Sequence, residues 1–116
     1  MNALMYFSCT GETKKVNDYF QNKLLDIISY NLTDYNTRNS FNFTQKFNLI
    51  ILSIPVHSEH IPIPLRQFIP KLQTKYLLIN LTYGSITPGK AVNKLIKLTK
   101  AKIIGLSLNP SKHSYY

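Results

Sequence analysis

The sequence predicts an α/β protein in which a five-stranded parallel sheet carries helices on both faces, the doubly wound class. Three observations predict it. Four short apolar runs stand out at residues 3–7, 49–54, 76–81 and 103–108, with a weaker fifth at 27–32. Most of them lack the alternation of apolar and polar residues that a half-exposed strand has, which favours strands buried on both faces. Apolar residues at helical spacing lie between the runs, so strands and helices alternate along the chain.

Residues 1–47 hold two of the five predicted strands and one clear helix. After the first strand, apolar side chains recur at helical spacing over Val16–Ile27, and residues 27–32 then give the second strand. Residues 36–47 show no sustained helical period. We therefore expect the second helix to be short or absent.

Residues 48–116 hold three predicted strands and two helices. The strand at residues 49–54 leads to a helix that begins at Pro64. Pro70 should end or kink this helix near Ile69, because proline lacks a backbone donor and its ring clashes with the preceding turn. After the fourth strand a helix begins at Pro88, and the fifth strand follows it.

Composition limits the chain to one small domain and to a few classes of partner. We expect a single domain over residues 1–116, with one modest core. The net charge is +9: residues 1–59 hold five basic and five acidic side chains, whereas residues 60–116 hold nine basic and no acidic ones. No apolar run approaches the ~20 residues of a membrane span, and the first residues lack the pattern of a signal peptide. We expect a cytoplasmic protein without a membrane span.

The turn after the first strand, SCTGET at residues 8–13, suits an anion. It joins a strand directly to a helix, so unpaired backbone N–H groups and the positive end of the helix dipole meet at one point. Gly11 can adopt backbone angles closed to other residues, and Ser8, Thr10 and Thr13 add hydroxyl donors. The alternative is an ordinary helix start capped by Thr10 or Thr13. The residues alone leave both interpretations open.

The pattern S-x-T-G-x-T in this turn resembles the FMN phosphate loop of the flavodoxin family, matched here by Ser8, Thr10, Gly11 and Thr13. Residues 48–72 and 77–111 are also similar to the flavodoxin-like domains that are often fused to ferredoxin-type iron–sulfur modules. The resemblance covers almost the whole chain. It implies a flavodoxin-like doubly wound sheet with strand order 2-1-3-4-5.

The same resemblance implies an FMN site at three strand ends. Cys9 and Glu12 would add backbone N–H groups to the phosphate loop. Two segments, PVHS and TYG, would pass along the two sides of the flavin ring; they comprise Pro55, Val56, His57, Ser58, Thr82, Tyr83 and Gly84. Tyr83 is the candidate for the ring face, because offset stacking holds a planar cofactor. The alternative is a tyrosine that only covers the sheet.

The chain departs from the family pattern in two ways. His57 stands where the relatives often have an aromatic residue, and Ser58 where glycine is frequent, so a glycine peptide able to flip toward the reduced ring is missing there. The helix that follows the fifth strand in the family is also missing, because the sequence stops at Tyr116. We expect a truncated domain with part of one sheet face uncovered, which a homodimer or a partner chain would cover.

Two other motifs do not carry the chemistry that they suggest. GSITPGKA, residues 84–91, nearly matches the phosphate loop of nucleotide hydrolases, but Ala91 has no hydroxyl for Mg²⁺ and Pro88 removes an amide from the cradle. It suits a helix start instead. The pair His57 and His60 has one nearby carboxylate and no thiolate, so we expect no metal site.

Together these features predict an FMN-binding electron-transfer flavoprotein, an electron carrier or flavin-dependent redox protein rather than a substrate-specific enzyme. The predicted lysine row Lys90, Lys94, Lys97 and Lys100 suits an acidic redox partner, or is simply the solvated side of an amphipathic helix. The alternative function is a flavodoxin-like module without flavin that binds a protein or a nucleic acid through its basic half. Nucleic acid is the weaker of these partners, because arginine is scarce and most aromatic residues lie in predicted core positions.

Overall fold

The computed structural model describes residues 1–7, 27–56, 60–83 and 89–110. Within these ranges it contains one parallel sheet of order β2-β1-β3-β4-β5. The strands are β1 (Asn2–Tyr6), β2 (Ile27–Asn31), β3 (Lys46–Val56), β4 (Gln73–Tyr83) and β5 (Lys102–Pro110). The predicted fold class and strand order are therefore confirmed. The helix predicted over Val16–Ile27 falls outside the described residues, except for Ile27, which begins β2.

The segment between β2 and β3 contains only a short helix, as its sequence predicts. Helix α1 spans Tyr35–Ser40, six residues. Its N-cap is Asp34, whose carboxylate accepts hydrogen bonds from the backbone N–H of Asn36 (3.3 Å) and the hydroxyl of Thr37 (2.9 Å). A side-chain oxygen at this position satisfies N–H groups that have no partner within the helix.

Aromatic packing holds the segment that follows α1. The rings of Phe41 and Phe43 each lie 5.0–5.2 Å, centroid to centroid, from the ring of Phe68, with edge-to-face geometry. Phe41 also contacts the Tyr30 ring edge-on at 5.2 Å. Edge-to-face pairs of this kind add stabilisation beyond the area that they bury. The rings thus attach a segment with little regular structure to the core.

Two further helices cross one face of the sheet. Helix α2 spans Ile63–Phe68 and passes into a 3₁₀ turn at Ile69–Lys71, so the α-helix ends where Pro70 predicts. Helix α3 spans Gly89–Leu98. Leu65 of α2 and Leu95 of α3 are buried against the core.

The face that carries α2 and α3, called here the helix face, is apolar across the three central strands. Residues in register on these strands form rows from β1 through β3 to β4: Ala3, Ile50 and Leu77 in one row, and Met5, Leu52 and Ile79 in the next. All six side chains are almost fully buried. This face supplies most of the hydrophobic core.

The opposite face carries a polar row instead. Tyr6, Ser53, Asn80 and Ser107 are in register on β1, β3, β4 and β5. The side chains of Ser53 and Asn80 are buried, and the Asn80 amide donates to the Ser53 hydroxyl at 3.4 Å. Because a buried polar group is costly without a partner, this pairing lowers the cost of placing them inside the sheet.

Strand β5 breaks the regular alternation of side chains. Ile103 pairs with Leu77 and Gly105 with Leu78, so Ile104 is an extra residue that forms a bulge. A Cβ at Gly105 would meet the Cδ1 end of the Leu78 side chain, which would have to shift to make room for it. After the bulge, Leu106 and Leu108 pair with Ile79 and Leu81 on the helix face, and both are exposed.

The position of the exposed apolar side chains of β5 can be compared with the expectation that part of one sheet face is uncovered. The last helix is expected beside the first helix, which is predicted between β1 and β2. The crossover from β1 to β2 runs along the sheet in the opposite direction to those that contain α2 and α3. Right-handed crossovers of opposite direction lie on opposite faces, so the last helix is expected opposite α2 and α3. On that face β5 presents Gly105 and Ser107, both half-buried. The exposed side chains of Leu106 and Leu108 lie on the helix face instead. The homodimer stays a prediction.

Candidate functional site

The candidate site is the edge of the sheet where the strands end. The chain runs from β1 outward to β2 and then returns to β3 on the other side of β1. Strand order therefore reverses between β1 and β3, and in open α/β sheets ligands bind outside the carboxyl ends of the strands at such a point. Strand β4 is the next neighbour of β3. The carboxyl ends of β1, β3 and β4 thus lie side by side.

Four of the predicted site residues lie in the described part of this edge, and the sheet brings them together. Pro55 pairs with Thr82 and Val56 with Tyr83 at the ends of β3 and β4. Pro55, Val56 and Thr82 are buried, whereas Tyr83 is half-buried. The two segments that the sequence analysis assigns to opposite sides of a ring therefore begin next to each other.

Tyr83 is the last residue of β4, and its ring packs partly against the core on the helix face. The rest of its surface is accessible at the carboxyl edge. A ring held on one side by the core has little freedom to lose on binding a planar ligand. This placement suits both a stacking residue and a tyrosine that covers the sheet.

The end of β1 is held tightly on both sides. The Phe7 backbone N–H donates to the Ser53 carbonyl oxygen at 3.0 Å, and the Leu32 N–H donates to the Tyr6 carbonyl oxygen at 2.7 Å. Phe7 directly precedes the predicted phosphate loop. That loop, Ser8, Cys9, Thr10, Gly11, Glu12 and Thr13, lies outside the described residues, as do His57, Ser58 and Gly84. Their roles stay predictions.

The structure adds Arg38, which the sequence analysis did not single out. Its Nη1 donates to the carbonyl oxygens of Leu32 (2.6 Å) and Thr33 (3.0 Å), at the turn after β2. The guanidinium carbon lies 6.0 Å from the ring centroid of Phe7 and 5.9 Å from that of Tyr35. Arg38 thus places a positive charge beside the end of β1.

A sequence signal for Arg38 exists in hindsight. The chain has 14 basic residues, of which only Arg38 and Arg66 are arginine. Arginine is favoured where one planar group must donate to several oxygens, which a lysine ammonium does less well. Arg66 has a similar task, since its Nε donates to the Ile61 carbonyl oxygen at 3.2 Å.

The described ranges contain neither a candidate metal cluster nor a candidate membrane-spanning helix. Among these residues, no group of three or more His, Cys, Asp or Glu side chains could hold a metal ion. His60 is exposed, and its predicted companion His57 is not described. None of the described helices is long and apolar enough to cross a membrane.

Solved structures with the same architecture now place the fold. The chain has the flavodoxin-like fold. A flavoprotein from Lactobacillus acidophilus NCFM in complex with FMN matches with a TM-score of 0.66 and 15% identity, over 93% of this chain and 92% of that one. Two-electron reduced Megasphaera elsdenii flavodoxin matches with a TM-score of 0.67 and 20% identity, over 94% and 85% of the two chains. A flavoprotein from Bacteroides eggerthii DSM 20697 matches with a TM-score of 0.64 and 15% identity, over 92% of this chain and 86% of that one.

The identities are low, so these likenesses show the fold and not the activity. At the level of sequence, the chain matches no protein-family model and no curated protein. The narrower resemblance, to domains fused with iron–sulfur modules, stays a prediction.

Proposed function

We propose that this protein binds FMN at the carboxyl edge of its sheet and acts as an electron carrier. The observation that carries the proposal is the pairing of Pro55 with Thr82 and Val56 with Tyr83, beside the end of β1 and at the point where strand order reverses. FMN-carrying proteins share the fold, which supports the choice of cofactor. Its isoalloxazine ring would supply one- and two-electron chemistry, and the protein its binding and orientation.

The described residues fit a flavin in three respects. Pro55 and Val56 are buried apolar residues at the end of β3, which suits the hydrophobic body of the ring. Tyr83 offers an aromatic surface that is half accessible. Arg38 adds a positive charge at the edge where the phosphate would lie.

The remaining roles follow from the resemblance. In this proposal, Ser8, Thr10 and Thr13 donate hydroxyl hydrogen bonds to the phosphate, and Cys9, Gly11 and Glu12 donate backbone N–H groups. His57, Ser58 and Gly84 line the ring beside the four described residues. An acidic redox partner is part of the same proposal, because the net charge of the chain is +9. A cytoplasmic location stays a prediction of the sequence.

Titration with FMN tests the proposal directly. Purified protein is mixed with FMN, passed through a desalting column, and its absorption spectrum and flavin fluorescence are recorded. We expect a yellow protein with a 1:1 flavin content and quenched fluorescence, because a stacked ring loses its excited state to the neighbouring aromatic. A colourless protein with unquenched FMN, and with the far-UV circular dichroism of an α/β fold, would contradict flavin binding while leaving the fold intact.

One observation keeps the alternative function open. Lys46, Lys75 and Lys100 are exposed around a hollow at the opposite, amino edge of the sheet. A flavin-free module that binds a protein or nucleic acid would use this basic edge. Salt-dependent binding of a single-stranded RNA oligonucleotide by a protein that does not take up FMN would favour this alternative.

A further inference from the structure

An apolar groove lies between α3 and β5 on the helix face. Its volume is about 400 Å³. Val92, Leu95 and Ile96 line it from α3, and Ile103 and Leu106 from β5. Ile96 is 55% exposed and Leu106 is 42% exposed, so the apolar surface is open to a partner. Exposed apolar surface of this kind marks interaction sites in folded proteins.

The β5 bulge creates one wall of this groove. Ile103 and Leu106 are three residues apart, and in a regular strand they would point to opposite faces. The extra residue Ile104 changes the alternation, so both side chains lie on the helix face and both line the groove.

A lysine-lined hollow adjoins the groove. This second hollow, of about 380 Å³, is lined by Lys46, Lys75 and Lys100 together with polar and apolar neighbours. Ala101 lines both cavities, so they are contiguous. Lys100 and Lys102, both exposed, flank Ala101 along the chain. Apolar surface and positive charge thus meet at the amino edge of the sheet.

The charge is unopposed within this half of the sequence. Residues 60–116 contain no Asp or Glu, and the five acidic residues all lie between positions 12 and 59. Among the residues that the structure describes, the one acidic side chain is Asp34, which caps α1 at the other edge. The charged side chains of α3, β4 and β5 are therefore all positive, and a carboxylate that approaches the groove meets no negative charge from these elements.

We propose that the α3–β5 groove docks an acidic segment of another protein, which inserts apolar side chains between Ile96 and Leu106 while its carboxylates contact the lysines around Ala101. This inference does not rest on flavin binding. The groove uses the middle of α3 and the first half of β5, whereas the FMN proposal uses the ends of β1, β3 and β4. The docked segment is thus a tethering contact and not the group that exchanges electrons.

Two other occupants fit less well. A second copy of this chain would bring the same lysines to the interface, and like charges at short distance oppose association. A nucleic acid would use the lysines but not the groove, whose lining is aliphatic and offers no aromatic ring for base stacking. The combination of an aliphatic groove with a basic rim is complementary to an acidic, apolar peptide.

A designed peptide tests this complementarity. The probe is a fluorescein-labelled amphipathic peptide of about 14 residues, with leucine along one face and glutamate on the other. Matched peptides replace every glutamate with lysine, or every leucine with serine. We expect the acidic leucine peptide to bind in fluorescence anisotropy at low salt, and both matched peptides to bind at least ~10-fold more weakly, because each lacks one half of the interaction. Raising the salt should weaken binding, since the charge contacts are exposed.

Variants locate the site. Ile96→Ser and Leu106→Ser should each weaken the acidic peptide at least ~5-fold, whereas Ile63→Ser should not. Ile63 is the matched control, because it is a 72% exposed isoleucine on α2, outside the groove. Lys100→Gln should weaken binding more than Lys71→Gln, which removes the same charge outside both the groove and the lysine-lined hollow.

Three results would overturn the proposal. The first is equal binding of the lysine peptide, or an equal loss in Ile63→Ser and Ile96→Ser. The second is no peptide binding together with a dimer, seen in sedimentation velocity, that Ile96→Ser dissociates; the occupant is then a second copy. The third is binding of a single-stranded RNA oligonucleotide that Lys100→Gln weakens while no peptide binds. Measurements with and without FMN should give the same peptide affinity, so loss of flavin binding leaves this test intact.

Discussion

The two edges of the sheet present different chemistry to a ligand. At the carboxyl edge, Val56 and Thr82 are buried and Tyr83 is half exposed, beside a turn that Arg38 holds. At the amino edge, lysines line a hollow that shares Ala101 with an aliphatic groove. Strands β3 and β4 connect the edges, and each is eleven residues long, which corresponds to ~33 Å. Exposed charges so far apart are screened from one another by salt. One small sheet can therefore carry two sites that act independently.

The largest effect is expected from a substitution in the core, because the same sheet carries both edges. Leu52 lies at the centre of the sheet between Met5 and Ile79 and is fully buried. Leu52→Ala should lower the free energy of unfolding by about 2–5 kcal/mol, because it removes buried surface and leaves a cavity. Urea unfolding measures this. Leu106→Ala is the control, and should cost about 1 kcal/mol or less because Leu106 is partly exposed. Equal losses would show that the groove is part of the core.

The second prediction separates the carboxyl edge from the amino edge within one strand. Tyr83→Leu should weaken FMN binding by about 1 kcal/mol, roughly 5-fold, because it removes an aromatic face at the ring. Tyr76→Leu is the matched control, since Tyr76 is also half-buried in β4 but lies near its other end. Fluorescence titration measures both. Equal FMN affinity in the two variants would favour the interpretation of Tyr83 as a residue that covers the sheet.

Arg38 provides a third test at the carboxyl edge, which measures stability and not binding. Arg38→Gln should lower the free energy of unfolding by about 1–2 kcal/mol, because the carbonyl groups of Leu32 and Thr33 lose a charged donor. Arg38→Lys should recover only part of this loss, because a lysine ammonium lacks the planar fork. Peptide binding at the α3–β5 groove should be unchanged in both variants. A full recovery in Arg38→Lys would indicate that charge alone matters at this position.

The smallest effect is expected at the cap of α1. Asp34→Ala should cost about 0.5–1 kcal/mol, because the Asn36 N–H and the Thr37 hydroxyl lose their acceptor. Asp34→Ser should be close to the parent, since a hydroxyl can also cap a helix. Thermal unfolding followed by circular dichroism compares the two. If Asp34→Ser were as destabilising as Asp34→Ala, the negative charge of Asp34 rather than its capping hydrogen bond would be responsible.

Much of the fold could be predicted from the sequence because its signals are local. Buried runs identify parallel strands, and a proline such as Pro70 ends a helix through its own ring and missing N–H. The short α1 follows from the lack of a helical period in residues 36–47. These effects act within a few residues, so they can be read without knowledge of the neighbours in space.

The parts that could not be predicted depend on residues far apart in sequence. The bulge at Ile104 exists because β5 pairs with β4, and no local pattern announces an extra residue there. The groove likewise needs the packing of α3 against β5. For the candidate site, the pairing of Pro55 with Thr82 and Val56 with Tyr83 agrees with the predicted neighbourhood. Arg38 was missed because its partners, Leu32 and Thr33, are backbone carbonyl groups that any sequence would provide.

The β5 bulge also has a consequence for how this protein behaves at high concentration. Of the described strands, β5 pairs with β4 alone, and it lies at the end of the sheet with three exposed apolar side chains, Ile104, Leu106 and Leu108. A long, flat strand with that composition would act as a template for fibril growth. A bulge twists the strand locally and interrupts its ladder, and the nearby Lys102 repels an identical strand. The same extra residue that opens a groove for a partner thus protects the chain from polymerising with itself.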